Sequence, residues 1–507
     1  MAIVRSARKN VKIKHFYLNS QEEVVVKIVK EILTLFKIDL DEATNEPLAY
    51  ESLAIDNQVM LDDIVKVNTK IRLVDSSKIE HDFCIEAEGQ HDERKLASSR
   101  RLIKLNLYHL FRKYFQFETA PWGILHGVRP TKIVHHYIDQ GLTKPAIISR
   151  LQNDYEVSTA KAELITKLAF KQRSFLATSN PKLVSIYIGI PFCLSRCLYC
   201  SFPSYVLPKK EILDQFMVKL KQDIVAAQSL IIQQGLSVQS IYIGGGTPTS
   251  LPDEDFTVLL NLVKDSFYGV ETVEFTVEAG RPDTITDHKI AAMMNHSVNR
   301  VSVNPQTMQL KTLKRIGRNH TPEAIIEMFY KFRKAKMQHI NMDLIIGLPG
   351  ETCEDMKDTM QKIVALNPDD ITLHALALKK GSQLKMNGGC KDLPDDETAQ
   401  AMFAIAMDAV EKLKMEPYYL YRQGYMSGNL ENVGCSKSGS EGFYNIQIME
   451  EHQTIIGIGP AATTKVIDPI TERMQTSFNA KDLTTYLNHV DKYIEKRTIL
   501  LNTAFSN

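Results

Sequence analysis

Three cysteines, Cys193, Cys197 and Cys200, fall within eight residues in PFCLSRCLYCSF, whereas Cys84, Cys353, Cys390 and Cys435 are scattered. Thiolates are the usual ligands of iron–sulfur clusters, and three on one loop can hold three irons while leaving a fourth open to another ligand. A structural zinc would want a fourth Cys or His close by, and none follows in the loop; zinc and chance clustering are the competing readings. Seven cysteines in 507 residues, behind an N-terminus that is basic but lacks an apolar core, argue against a disulfide framework.

A second lead is Gly244-Gly245-Gly246-Thr247-Pro248-Thr249, which ends a β-branched run. Glycines at a strand end let a ligand approach the backbone closely, and their N–H and C=O groups can clamp it; a tight strand–helix turn is the plain alternative. Alternation supplies a third lead, because successive side chains of a strand face opposite ways. Glu274, Thr276 and Glu278 oppose Val273, Phe275 and Val277. Tyr187 opposes Ile186 and Ile188, Ser302, Asn304 and Gln306 oppose Val301 and Val303, and Asn341 and Asp343 oppose Met342 and Leu344. Four strands thus send polar groups one way, many near their C-terminal ends, where α/β barrels keep their sites.

These residues must be held by a repeating scaffold. From Val184 onward six short runs (SIYIGIP, SIYIGGG, TVEFTVEAG, RVSVNPQ, NMDLIIGLPG and DITLHALAL) alternate with helix-length spacers such as EILDQFMVKLKQDIVAAQSLIIQQG. Such alternation predicts a parallel sheet with right-handed crossovers, here an α/β fold with a partial (β/α)6 barrel over 179–389. Residues 1–178 read as an α+β region, with strands in KIKHFYLN, a strand pair in DDIVKVNTKIRLVD and helices including a basic one from Glu93 to Phe115; LATSNPKL is the expected linker. Residues 390–507 read as a small C-terminal α+β domain, with a helix in DETAQAMFAIAMDAVEKLK and strands around FYNIQIM and HQTIIGIG. A net charge of +1 gives no general pull toward nucleic acid or an anionic membrane. No apolar stretch approaches the roughly 20 residues that span a bilayer, and the expected location is the cytoplasm.

PFCLSRCLYC, GGGTPT, the inward Glu278 and DLIIGLPGE resemble the radical S-adenosylmethionine superfamily in its oxygen-independent coproporphyrinogen dehydrogenase branch; YIGIPFCLSRCLYCSFPSY, RVSVNPQTM and HQTIIGIGPAATTKV look like its HemZ type. The resemblance implies a [4Fe–4S] cluster on Cys193, Cys197 and Cys200 and S-adenosylmethionine on its open iron. By position it implies cofactor contacts for Tyr187, Tyr199, Gly245, Gly246, Thr247, Glu278, Gln306, Arg318, Asp343 and Ala377. It also implies the reaction, in which a 5′-deoxyadenosyl radical takes hydrogen from a propionate and loss of CO2 leaves a vinyl group. Coproporphyrinogen III would be the substrate, and a ferredoxin or flavodoxin the usual class of electron donor.

Two departures from the branch are visible. The authenticated oxidases carry a fourth cysteine two residues past the third, where Phe202 stands here, and SGSEGFYNIQ lacks the H-N-x-x-Y-W motif of the haem chaperones. A haem-binding protein with a cluster, or a radical enzyme with another substrate such as RNA, are therefore the alternatives. The run from Arg94 to Lys113 holds seven basic residues and no acidic one; a solvated helix face is the plain reading, and nucleic acid is not an expected partner. Gly457-x-Gly459-x-x-Ala462 reads as a turn rather than a dinucleotide fingerprint. Cys353, His135, His136 and Trp122 read as ordinary structural residues.

Overall fold

The computed structural model describes residues 11–505 except 14, 21, 37, 41–51, 75–78, 91–93, 116–119, 126, 128, 177–179, 378–381, 387–391 and 424–425. Cys390 and the middle of the expected linker lie outside the described residues. The chain divides into two compact units, Met1–Lys167 and Leu168–Asn507. Among the described residues no helix is long and apolar enough to cross a membrane.

In the first unit a four-stranded sheet runs in the order His15–Leu18, Ser52–Leu61, Val65–Val74, Glu80–Glu88. The stretch expected as a strand pair is one strand, Val65–Val74, which pairs back on Ser52–Leu61 through a turn at Asp62 and Asp63. Val65, Val67, Ile71 and Leu73 alternate inward and join a core with Leu102, Leu107 and Phe111 of the helix Lys95–Phe115. That helix carries most of the basic run, and three of its cations are engaged within the unit. Lys104 pairs with Glu31 at 2.7 Å, Arg112 with Glu156 at 3.3 Å, and Lys95 donates to the Leu61 carbonyl. Trp122 is fully buried.

The second unit contains the six expected strands: β1 Leu183–Ile190, β2 Ser237–Gly245, β3 Glu274–Glu278, β4 Arg300–Gln306, β5 His339–Ile346 and β6 Asp370–Ala375. Between them run α1 Lys210–Gln233, α2 Asp253–Phe267, α3 Asp287–Asn295, α4 Leu310–Arg315, α5 Pro322–Lys334 and α6 Cys353–Leu366. All six strands are parallel and pair in sequence order. Ile186, Ile188, Ile241, Ile243, Phe275, Val277, Val301, Val303, Met342 and Leu344 form one core with the helices, as alternation requires.

After α7 (Asp396–Lys412) come β7 Glu416–Tyr421, β8 Asn432–Ser436, α8 Phe443–Glu450, β9 Thr454–Ile458, β10 Thr463–Ile467, β11 Met474–Phe478 and α9 Leu483–Phe505. Residues 390–507, expected as a separate small domain, instead extend the same sheet, whose order is β7-β8-β6-β5-β4-β3-β2-β1-β9-β10-β11. The physical reason is edge satisfaction. A six-stranded parallel sheet leaves unpaired N–H and C=O groups on β1 and β6, and β9 and β8 occupy those edges. The segment FYNIQIM, expected as a strand, is α8: Tyr444, Ile446, Gln447 and Glu450 are its buried residues, closer to a helical than to an alternating pattern. The Gly457–Ala462 motif ends β9 and turns into β10, where Gly459, at φ +88°, lies against the Gly189 backbone.

Candidate active site

The cysteine loop leaves β1 and closes on itself. Phe192–Cys193 pairs in parallel with Tyr205–Val206, so residues 194–204 form a loop fixed at both ends. Its base is buried Phe192, edge-on to Phe216 of α1 at 4.9 Å. Within it Leu198 N–H donates to the Ile316 carbonyl at 3.0 Å, and Cys200 N–H to the Cys197 carbonyl at 3.2 Å. Two buried arginines brace it from outside. Arg281 Nη1 donates to the Ser195 carbonyl at 2.6 Å and Nη2 to Ser195 Oγ at 2.8 Å. Arg318 Nη1 donates to the carbonyls of Gly280 at 3.0 Å and Asn304 at 2.6 Å, and Nη2 to Tyr199 Oη at 3.3 Å. Burial, then the charges of Arg318 and Arg281, push His320 down to about 3, so it adds no third cation there.

The glycines of β2 hold this loop. Gly246 and Thr247 donate their N–H groups to the carbonyls of Ile190 at 2.8 Å and Phe192 at 2.7 Å. Those two N–H groups are therefore committed to the loop rather than to a ligand. A Cβ on Gly246 would sit 2.6 Å from Phe192 O and 3.1 Å from Cys193 Sγ, so only glycine lets the strand end press on the cysteine. Gly245 has φ +113°, a conformation closed to most side chains.

The inner faces of the strands supply the opposite wall. Tyr242 Oη donates to Glu278 Oε1 at 2.8 Å, and burial, helped by the Asp343 charge, pushes the Glu278 carboxyl up to about 7. Asp343 behaves oppositely. Burial works to raise it, but His374, Asn341 and Thr372 hold it below its ordinary value; Asn341 Nδ2 donates to Oδ1 at 2.7 Å and His374 Nε2 lies 3.8 Å from Oδ2. Tyr187 stacks with Tyr242 and Tyr444, at centroid distances of 6.1 and 6.2 Å. Gln306, at a register shift in β4 with φ +65°, has a buried Oε1 without a hydrogen-bond partner.

All thirteen positions singled out in the sequence line one cavity of about 390 Å³: Cys193, Cys197, Cys200, Tyr187, Tyr199, Gly245, Gly246, Thr247, Glu278, Gln306, Arg318, Asp343 and Ala377. Ala377 reaches it just beyond β6, where it bridges Met426. Sequence reasoning missed Tyr242, His374, Arg281 and Tyr419, which line the same space. The alternation rule, applied to SIYIGGG and DITLHALAL, would have found Tyr242 and His374. Tyr419 arrives on β7, an added strand without a motif, and Arg281 follows β3 in a turn.

Three cysteines on one braced loop fit a cluster. Among the described residues no three His, Cys, Asp or Glu side chains converge tightly enough for a single metal ion; a cubane makes no such demand, because each thiolate takes its own iron. The unpartnered Gln306 Oε1 and the half-buried carboxyl groups of Glu278 and Asp343 fit a polar ligand beside it. The sequence profile of the radical SAM superfamily matches residues 187–363. The chain is 38% identical over 395 residues to the oxygen-independent coproporphyrinogen-III oxidase-like protein HemZ of Bacillus subtilis, covering 76% of this chain and 78% of that protein. It is 31% identical over 281 residues to the heme chaperone HemW of Lactococcus lactis, covering 55% of this chain and 69% of the chaperone. Among solved structures, the coproporphyrinogen III oxidase HemN of Escherichia coli, a radical SAM enzyme, superposes with a TM-score of 0.52 at 23% identity, over 64% of this chain and 72% of that one, a likeness of fold. The cysteine loop, the inward polar strand faces and these relationships lead to one assignment: the chain belongs to the radical SAM superfamily, which works with a [4Fe–4S] cluster and S-adenosylmethionine, in its oxygen-independent coproporphyrinogen-III oxidase-like branch.

Proposed function

We propose that this protein oxidatively decarboxylates coproporphyrinogen III propionates to vinyl groups without oxygen, giving protoporphyrinogen IX. The observation that carries the reading is the gathering of thirteen positions, drawn from six parallel strands and their loops, around one cavity. Cys193, Cys197 and Cys200 would hold three irons of the cluster. Gln306, Arg318, Glu278, Asp343, Gly245, Gly246 and Thr247, with Tyr187, Tyr199 and Ala377, would line the site of S-adenosylmethionine. When bound, the two would supply a 5′-deoxyadenosyl radical that removes one hydrogen from the substrate; loss of CO2 then gives up one electron, so the reaction also needs a one-electron acceptor. The chain's part is to bind, orient and exclude water. Half-buried Tyr187 and Tyr242 and buried Tyr444 wall the interior, and Glu278 keeps its proton to about pH 7 while Asp343 stays charged, so the two carboxyls offer one donor and one acceptor.

At about 390 Å³ the cavity suits one drug-sized molecule, so the tetrapyrrole presents a propionate at the mouth rather than entering whole. The electron donor in this reading is a low-potential ferredoxin or flavodoxin in the cytoplasm, where thiols stay reduced. Met1–Lys167 serves as a substrate or partner module. The engagement of Lys104, Arg112 and Lys95 within that unit weighs against RNA as its ligand.

The test is an anaerobic assay of reconstituted, reduced protein with S-adenosylmethionine and coproporphyrinogen III, quantifying tetrapyrroles and 5′-deoxyadenosine together. Protoporphyrinogen rising in step with deoxyadenosine supports the proposal; deoxyadenosine beside unchanged tetrapyrrole rejects the substrate. A second reading, haem carriage, is favoured by the similarity to the heme chaperone of Lactococcus lactis. It requires stoichiometric haem binding with no turnover of the porphyrinogen.

A further inference from the structure

Arg281 is 2% exposed, and among the described residues its carboxylate partner is the partly exposed Asp283, too far away for a hydrogen bond. Asp283 Oδ1 stands 3.9 Å from Nε, and Nε itself is buried without a hydrogen-bond partner. Both Nη groups go to neutral acceptors on Ser195, midway between Cys193 and Cys197. A buried guanidinium is costly unless an opposite charge compensates it. Asp283, 3.9 Å from Nε and partly exposed, compensates it only in part, and the two Nη groups point instead to Ser195 and to what the cysteine loop carries. A cubane bound by three thiolates is anionic, and more so after accepting one electron.

The side chain is placed by a chain of contacts that starts at the glycine-rich strand end. Thr249 and Thr284 share a hydrogen bond at 2.7 Å, and Thr284 Oγ1 donates to the Arg281 carbonyl at 2.7 Å inside the short turn Pro282–Thr284. The end of β2 and the turn after β3 thus hold the arginine before any cluster is bound. Pre-organised outer groups of this sort orient ligands and tune the metal they surround.

We propose that Arg281 is a positioning residue of the cluster: it pins the loop through Ser195 and keeps a fixed positive charge beside the Cys193 side. The proposal rests on Cys193, Cys197 and Cys200 being the cluster ligands. Removing the charge disfavours the reduced, more negative cluster, so the reduction potential falls. Removing the two-pronged hold frees the loop, so iron leaves faster.

The experiment compares reconstituted full-length wild type, Arg281→Gln, Arg281→Lys and Ser195→Ala by anaerobic redox titration and by the rate of iron release to a chelator. Arg281→Gln should shift the potential downward and release iron about tenfold faster or more, in line with the effect of outer-shell substitutions. Arg281→Lys keeps the charge and should hold the potential near that of wild type while releasing iron faster. Ser195→Ala should do the same, and serves if the glutamine variant does not fold. A potential in Arg281→Gln equal to wild type overturns the proposal, as does iron release from Ser195→Ala at the wild-type rate. Wild-type protein that takes up no cluster overturns the ligand assignment instead.

Discussion

Glu278 shows what single residues contribute and how they can be checked. Its burial opposite Tyr242 lifts the folded carboxyl to about 7 from an ordinary 4.5. A group with a raised folded pKa contributes stability that is full below its unfolded pKa and lost as pH climbs through the folded value. Cofactor-free protein should therefore lose stability across the window from 4.5 to about 7, and Glu278→Gln should flatten that slope in urea unfolding. Glu351 and Asp370, also lifted to about 7 by burial, keep the remainder of it. A slope unchanged by the substitution would show that Glu278 is not the buried acid described. Cys197→Ser makes the sharper claim, that cluster iron and deoxyadenosine formation disappear together; an active variant that retains its cluster would sink the ligand assignment. At this scale much was legible. Alternation alone placed Tyr187, Glu278 and Asp343 on one face, because the pleat of a strand leaves no other choice; Gln306, also expected there, reaches the cavity across a register shift where the pleat is broken. Arg281 was not legible, since a turn residue has no periodicity to betray its direction.

The elements are where local rules compete. Gly246 follows β2 directly and lies against the cysteine loop, and a methyl group there would meet the backbone oxygen of Phe192 at 2.6 Å. Gly246→Ala should cost roughly 1–3 kcal/mol, the usual range for overpacking, and lower the iron bound per chain; chemical unfolding and iron analysis would read both. Wild-type values on both would mean that strand end and loop do not touch. The six core strands were visible as β-branched runs separated by helix-length spacers. The strand expected in FYNIQIM was misread because a short apolar run fits helix and strand alike. Its burial pattern, visible only once packed, makes it α8.

The second unit is built on one eleven-stranded sheet, and its ends explain what the sequence could not show. The six parallel strands have a regular rhythm, but the strands that complete their edges come from distant and irregular segments. β8 pairs with β6 and β9 with β1, while α9 is tied to α1 by a buried ion pair, Arg497 Nη2 to Asp223 Oδ1 at 2.7 Å, with Tyr486 Oη on the same carboxylate at 2.8 Å. Breaking such a buried pair leaves an uncompensated charge, at about 3–5 kcal/mol. A fragment of residues 168–389 keeps both open edges and loses Arg497, so it should aggregate on expression, whereas 168–507 should stay monodisperse in size-exclusion chromatography. A soluble, cooperatively unfolding 168–389 would contradict the single-sheet account. The central claim, that this cavity directs hydrogen removal to a propionate, is tested most directly with coproporphyrinogen III deuterated on its propionate methylenes. The account predicts deuterium in the 5′-deoxyadenosine, in step with CO2 release; unlabelled deoxyadenosine beside intact tetrapyrrole would contradict it.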